Sequence, residues 1–503
     1  MSAAAGEGPD GLAHGAAAAG RPRMTDQPTT TDQTETRPHV PELPRVIQGG
    51  MGIAVSDWRL AHAVCLSGGL GVVSGTGIDT VLLRRLQDGD PGGAVRRALA
   101  AFPNPALAQA CLERYFCAEG RAPGEAYTRL PLPTAERSRD AWEMTLLGAF
   151  VEVTLAREGH DRPVGLNLLT KLQLHTLPAL YGAMLAGVGT VIMGAGIPRD
   201  IPGILDAFAA GRPASLRVDV KGGDPLTLTF DPADFDLPPD LLDRPDFYPI
   251  VSSHVLAGVL ARKASGPVQG FIVEGPTAGG HNAPPRGPLT LDDRGQPVYG
   301  ERDEVDLPAM RALGLPFWLA GGCGTPGALR DALAVGAAGI QVGTLFAFAR
   351  ESGLRADLKA DVLTRAQTGT LDVFTDPLAS PTGFPFKVVT LPGTLSQPEV
   401  YAARKRVCDL GYLREAYRTE SGRVGWRCPA EPAQAYRAKG GDPADTPGRK
   451  CLCNALMADA GYAQVQRGGR TEPGLLTSGD GLGALRDWTP GYGAADVLRV
   501  LHG

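Results

Sequence analysis

Eight short apolar runs separated by helical patterns constrain this chain more than any other feature. The runs are "VIQGGMG" (46–52), "GVVSGTG" (71–77), "VGLNLL" (164–169), "TVIMGAG" (190–196), "FYPIVSS" (247–253), "GFIVEG" (270–275), "FWLAGG" (317–322) and "GIQVGT" (339–344). They are rich in β-branched residues, several end in Gly or Ser, and none alternates cleanly between polar and apolar. A strand apolar on both faces is buried on both, the condition of a parallel sheet. Between the runs lie "SDWRLAHAVCLSGG", with Ser56 as N-cap and a closing glycine, then "HTLPALYGAMLAG", "IPGILDAFAAG", "SHVLAGVLARKAS" and "GALRDALAVGA". "LRADLKADVLTRA" follows the eighth run. Eight β–α repeats joined by short, right-handed connections predict an α/β fold, a closed (β/α)8 barrel.

Two segments exceed a minimal barrel. Residues 78–163 contain the helix "RDAWEMTLLGAFVEVTLAREG" and a helical excursion before it. Residues 212–244 contain a short alternating stretch and a Gly-Gly-Asp turn, which predicts a β-hairpin. The barrel is expected over 42–375. Residues 1–41 hold almost no large apolar side chains and cannot offset their ordering entropy, so a disordered tail is expected there. Beyond 375 the barrel pattern stops. Residues 376–503 read as a smaller α-rich domain or cap, with helices in "QPEVYAARKRVCDLGYLREAY", "KCLCNALMADAGY" and "AADVLRVL".

Composition narrows the class. With 43% hydrophobic and 20% charged residues the chain reads as an ordinary globular protein. A net charge of −5 points away from nucleic acid. There is no run of about 18 apolar residues that would span a membrane, and no secretory signal pattern. Eight cysteines in 503 residues make no disulfide framework, so a reducing cytoplasm is the expected setting.

In a barrel of this class, chemistry sits at the C-terminal ends of the strands. Here those ends are dense in glycine. "AGGCGTPG" and "QVGT" place Gly321, Gly322, Gly343 and Thr344 where backbone N–H groups, aided by a following helix, could cradle a phosphate. "QGGMG" after the first strand could lie flat against a planar ring. Asn167 is a polar side chain in an apolar strand, placed to meet a ring edge. A phosphate site with a glycine platform opposite suits flavin mononucleotide across the mouth. His281 follows two glycines in "VEGPTAGGHNAPPRG", and two prolines stiffen the chain after it.

Taken together, "IQGGMG", "PVGLNLL", "MGAG", "EGPTAGGH", "LAGGCGTPGALRDALAVGAAGIQVGT" and "FARES" resemble the nitronate monooxygenase family, formerly called 2-nitropropane dioxygenases. They equally resemble the related flavin-dependent enoyl reductases of fatty acid and polyunsaturated fatty acid synthesis. The resemblance implies an FMN-binding barrel of the TIM type, with Gly50, Met51, Gly52 and Asn167 along the flavin; Gly49 and Gly280, beside these motifs, are expected to bind the cofactor as well. It also implies that Gly322, Gly343 and Thr344 hold the phosphate and that His281 is the catalytic base. The implied activity is oxidation of alkyl nitronates with O2 to carbonyl compounds and nitrite. The alternative is NAD(P)H-dependent enoyl reduction, acting in trans on a fatty acid or polyketide synthase. Arg286, held near the mouth as a substrate contact, would favour that alternative if it binds a phosphate. The partners are a small-molecule substrate and O2, with a homodimer left open.

Some signals are set aside. Cys408, Cys428, Cys451 and Cys453 contain no C-x2-C pair and match no standard zinc or iron–sulfur spacing, so they read as buried structural thiols and no metal is expected. Cys323 reads as a small residue filling a tight turn. "TSGDGLG" (477–483) follows no clear strand and reads as a loop. Trp426 and Trp488 read as packing residues.

Overall fold

All eight apolar runs are strands: β1 (Val46–Gln48), β2 (Gly71–Ser74), β3 (Val164–Leu169), β4 (Thr190–Gly194), β5 (Asp246–Val251), β6 (Phe271–Glu274), β7 (Phe317–Ala320) and β8 (Gly339–Val342). The computed structural model describes residues 43–503 except residue 137 and residues 238–240. The expected disordered tail, 1–41, lies outside the described residues. The strands pair in parallel in the order 1-8-7-6-5-4-3-2. The ring closes between β1 and β2 at Leu70, which bridges Ile47. Gln48 N donates to Leu70 O and Leu70 N to Val46 O, both at 3.0 Å. The fold is the (β/α)8 TIM barrel.

Both strand faces are buried, as the unbroken apolar runs require. Ile47, Val72, Ile192, Tyr248, Ile272 and Trp318 pack together inside the barrel. Their neighbours Val46, Val73, Val191, Phe247, Phe271, Phe317 and Ile340 face outward into the core shared with the helices. The two polar groups that the large interior rings bring with them are satisfied. Trp318 Nε1 donates to Pro44 O at 2.7 Å and Tyr248 Oη to Asp246 at 3.0 Å.

The buried Gln48 joins the closing strands through its side chain. Its Oε1 accepts from Val72 N at 2.9 Å, and its Nε2 donates to Ser56 Oγ at 2.7 Å and to Gly49 O. Ser56 is not the expected N-cap. The helix Trp58–Leu66 is capped by Asp57, whose Oδ1 accepts from Arg59 N at 2.9 Å. The Ser56 hydroxyl instead braces the loop after β1, accepting from Met51 N and donating to Gly49 O, both at 2.8 Å. A carboxylate one residue later outcompetes it for the helix N–H groups.

The segment between β2 and β3 forms four helices, Ile78–Gln87, Ala94–Ala100, Pro105–Tyr115 and the long Arg139–Arg157. It is tied to the barrel by a buried ionic group. Arg85 lies between Asp57, at 3.1 Å, and Glu152, which also accepts from Trp58 N at 2.8 Å. Buried charges persist only when so completely paired. The predicted hairpin is present as Ala214–Val218 against Leu226–Phe230, with Leu216, Val218, Leu228 and Phe230 facing inward.

After β8 the chain forms the helix Ala356–Thr368 and the antiparallel pair Val373–Asp376 and Phe386–Val389. The helix read from "QPEVYAARKRVCDLGYLREAY" is confined to Pro398–Ala403, and Glu415–Arg418 is a strand. That strand pairs with Val424–Arg427 on one side and Val220–Lys221 on the other. Sheet pairing at long range overrides local helix propensity, and Gly411 at φ +70° turns the chain between them. The helix Leu452–Asp459 is present, as is the final helix Ala494–His502. The latter buries Val497, Leu498 and Leu501 against the barrel's outer core.

The closing role of Gln48 is testable. Gln48→Leu leaves the buried Val72 N–H without its acceptor and should lower stability by about 1–3 kcal/mol. The expected reading is a lower denaturant midpoint at unchanged slope; an unchanged midpoint would show that the side chain is dispensable to closure.

Candidate functional site

The loops at the C-terminal ends of the strands converge on one cavity of about 240 Å³. It is lined by Gly49, Gly50, Met51 and Gly52 after β1, Asn167 in β3, Gly280 and His281 after β6, Gly321 and Gly322 after β7, and Gly343 and Thr344 after β8. Of the residues singled out from the sequence, only Arg286 lies elsewhere. Its guanidinium donates to the carbonyl oxygens of Ser252 and Arg302, and its main-chain N–H to Asp303 at 2.8 Å. It faces a small side cavity with Tyr299 and Asp303. A larger, open hollow of about 570 Å³ lies alongside and shares Thr277 with the main cavity, but it holds none of the glycine loops.

Two close approaches explain the glycines. A Cβ on Gly50 would lie 2.2 Å from Asn167 Cβ, so only a bare backbone passes there, and Asn167 Nδ2 donates to Gly50 O at 3.0 Å. Gly321 and Gly322 both have left-handed backbones, φ +93° and +71°; a Cβ on Gly321 would meet Thr277 Oγ1 at 2.9 Å. The bare backbone of these loops fits a ligand that must approach closely, such as a phosphate. The helix opening at Thr344 is a single turn, Thr344–Ala347, so individual N–H groups rather than a helix dipole are what that loop can offer.

His281 is held from the far side of the mouth. It bridges Phe386, and on either side of it Asn282 N donates to Pro385 O and Lys387 N to Gly280 O, both at 2.9 Å. The ring nitrogen Nε2 shares a 2.7 Å hydrogen bond with Ser380 Oγ, and the Phe386 ring lies 4.9 Å away, nearly perpendicular. Desolvation pushes the His281 pKa down to about 4, so the imidazole is neutral at pH 7. The chain after the glycines is therefore fixed mainly by pairing with 385–387.

Sequence reasoning passed over several wall residues. Glu274 ends β6 and lines the cavity; burial raises its pKa to about 8. Asp459, at the end of its helix, is likewise raised to about 8 by burial. Both carboxyls are mostly protonated at pH 7. Gln341 contributes a buried Oε1 without a hydrogen-bond partner, an acceptor facing a ligand-sized space. Thr477, Ser478 and Gly479, set aside as a plain loop, also line the cavity. Gly280 N donates to Thr477 Oγ1 at 2.9 Å and Gly479 N to Thr344 Oγ1 at 3.2 Å. Their glycine density was the available signal. Cys323 lines the cavity as a thiol rather than a thiolate, since burial raises its pKa to about 11.

Residues 246–376 match the family model of nitronate monooxygenase. The match runs from β5 through β8 to the strand beyond, and so includes His281 and the glycine loops of β7 and β8. It shows the family resemblance on this part of the chain and marks the protein as a flavin-dependent oxidoreductase. No curated protein matches the chain by sequence. Among solved structures the chain is similar to FabK from Thermotoga maritima, with 16% identity, coverage of 91% of each chain and a TM-score of 0.45. It is similar to nitroalkane oxidase from Streptomyces ansochromogenes, with 16% identity, coverage of 91% of this chain and 94% of the other, and a TM-score of 0.45. The enoyl reductase domain of MlnA from the macrolactin cluster of Bacillus amyloliquefaciens shares 12% identity over 91% and 93% of the two chains, with a TM-score of 0.44. The barrel itself rests on strand pairing, not on these scores.

The glycine loop after β7 supplies a direct test. Gly322→Asp adds a side chain at φ +71° and a carboxylate on the cavity wall. The variant should fold but purify without flavin absorbance. Normal flavin content would show that cofactor binding does not depend on this loop.

Proposed function

We propose that this protein binds FMN across the barrel mouth and oxidises alkyl nitronates with O2 to carbonyl compounds and nitrite. The observation that carries this reading is His281, neutral near pH 7 and fixed by Ser380 and Phe386 on the wall of the cavity. Gly321, Gly322, Gly343 and Thr344 would hold the phosphate; Gly49, Gly50, Met51, Gly52, Asn167 and Gly280 would lie along the ring. When bound, the flavin accepts electrons from the substrate; the protein supplies position and charge.

His281 takes the proton from the carbon next to the nitro group of a neutral nitroalkane. An imidazole with a pKa of about 4 is free to accept a proton throughout the neutral range. The anion that forms beside it raises its proton affinity as the transfer proceeds. Glu274 and Asp459, mostly uncharged below about pH 8, leave the cavity open to an anionic nitronate. Arg286 is committed to backbone carbonyls and has no part in this scheme.

Purified protein mixed with a nitronate should consume O2 and release nitrite. Bleaching of the flavin by NADPH under anaerobic conditions, with no O2 consumption on nitronate, would overturn the proposal in favour of enoyl reduction. His281→Ala should keep its flavin yet lose about 10²–10⁴-fold in turnover of neutral nitroalkane, with a much smaller loss on pre-ionised nitronate. Equal losses on both substrates would make His281 a positioning residue.

The two raised carboxyls predict an alkaline limb. Turnover of nitronate should fall as pH rises through about 8, where Glu274 and Asp459 ionise and repel the substrate. Glu274→Gln combined with Asp459→Asn should flatten that limb while leaving the rate at pH 6 within a few-fold. A limb unchanged in the double variant would assign it to another group.

A further inference from the structure

Four cysteines whose spacing matches no metal pattern are brought together by the fold. Cys408, Cys428, Cys451 and Cys453 come from three separate stretches of chain, and all line one small cavity of about 10 Å³. None is in a disulfide. Cys428 and Cys408, and likewise Cys451 and Cys453, lie close enough for each thiol to perturb its partner's ionisation. Each pair also lies close enough to feel the other's charge. A void of that size holds about one water-sized body. It has room for a single ion and none for a cluster.

The surroundings suit thiolates. Arg414 lies near Cys408, Cys428 and Cys453, and Arg404 near Cys451, close enough for charge interaction. Asn454 Nδ2 donates to Cys451 Sγ at 3.6 Å, the kind of N–H···S contact that orients a sulfur ligand. Among the described residues no three His, Cys, Asp or Glu side chains are already arranged to hold a metal ion, so the four sulfurs would have to draw together on binding. A metal ion would replace their S–H protons, because thiolates rather than thiols are the ligands.

We propose that Cys408, Cys428, Cys451 and Cys453 bind one zinc ion through their four Sγ atoms, a structural site that clamps the far wall of the barrel mouth. Binding forms four Zn–S bonds and releases four protons, with no change of oxidation state. The resulting tetrathiolate carries two negative charges beside Arg414 and Arg404, the second of which is also paired with the buried Glu472 at 2.6 Å. Its closed tetrahedral shell leaves no open position, so the role is structural. The consequence for the site is direct. The helix Leu452–Asp459 starts between two of the ligands and carries Leu456 and Asp459 to the main cavity. Pro381, on the wall of the cysteine cavity, follows Ser380, the hydrogen-bond partner of His281.

The test uses the full-length protein and does not depend on its activity. Metal analysis after exhaustive dialysis should give one zinc per chain. Replacement of the zinc by Co2+ should give thiolate-to-metal charge-transfer bands and the visible bands of tetrahedral cobalt. Serine substitution of any of the four should reduce bound zinc, while Cys117→Ser, on an exposed thiol, should not. If the serine variants fail to fold, the wild-type cobalt spectrum and the number of thiols shielded from alkylation until a chelator is added still decide. Metal-free protein with four reactive thiols, a disulfide among them, or an iron–sulfur absorption spectrum would each overturn the proposal.

Discussion

Closure of the sheet between β1 and β2 is the constraint on which the mouth depends. β1 is only three residues long, and it pairs with β8 on one side and with Leu70, just before β2, on the other. Gln48 completes the second seam with a side chain that imitates a backbone partner for Val72. Because β1 is held beside β8, their loops touch. Gly49 N donates to Val342 O at 2.8 Å, and a Cβ on Gly49 would lie 3.4 Å from Gly343 Cα. The glycine platform and the phosphate-type loop are therefore neighbours across a closed ring, not distant features of an open sheet.

The mouth is completed by chain that arrives much later. Phe386 bridges His281, and the loop at 477–480 is tied to the β6 and β8 loops through Thr477, Thr344 and the bond from Asp480 N to Thr277 O at 3.0 Å. The buried ammonium of Lys387 joins these pieces, donating to Thr375 Oγ1 at 2.8 Å and to Asp480 at 2.5 Å. A buried cation with both partners in place resists separation of the segments that carry them. The desolvation that neutralises His281, Glu274 and Asp459 follows from this covering, since burial is the main cause of each shift.

Much of the site was legible because glycine and strand periodicity are local signals. The strand ends at 49–52, 321–322 and 343–344 announce themselves by residue type, and a barrel brings strand ends together by construction. Glu274 was not singled out because a carboxylate in a strand-end motif carries no mark of its burial. Thr477 and Gly479 were passed over because no strand precedes them. Arg286 was placed at the mouth by its nearness to His281 in sequence, but its guanidinium found the carbonyls of Ser252 and Arg302 first.

The sequence by itself determined the eight strands, most of the intervening helices, the hairpin at 214–230 and the set of glycine loops. These depend on side-chain periodicity and backbone freedom within a few residues. Only the tertiary structure decided that Ser56 braces a loop while Asp57 caps the helix, and that residues 415–418 are strand. It alone decided that Phe386 and Ser380 hold His281 and that four cysteines from three stretches share one cavity. Each of these outcomes is a competition between partners far apart in the chain, won by geometry and desolvation that no local window contains.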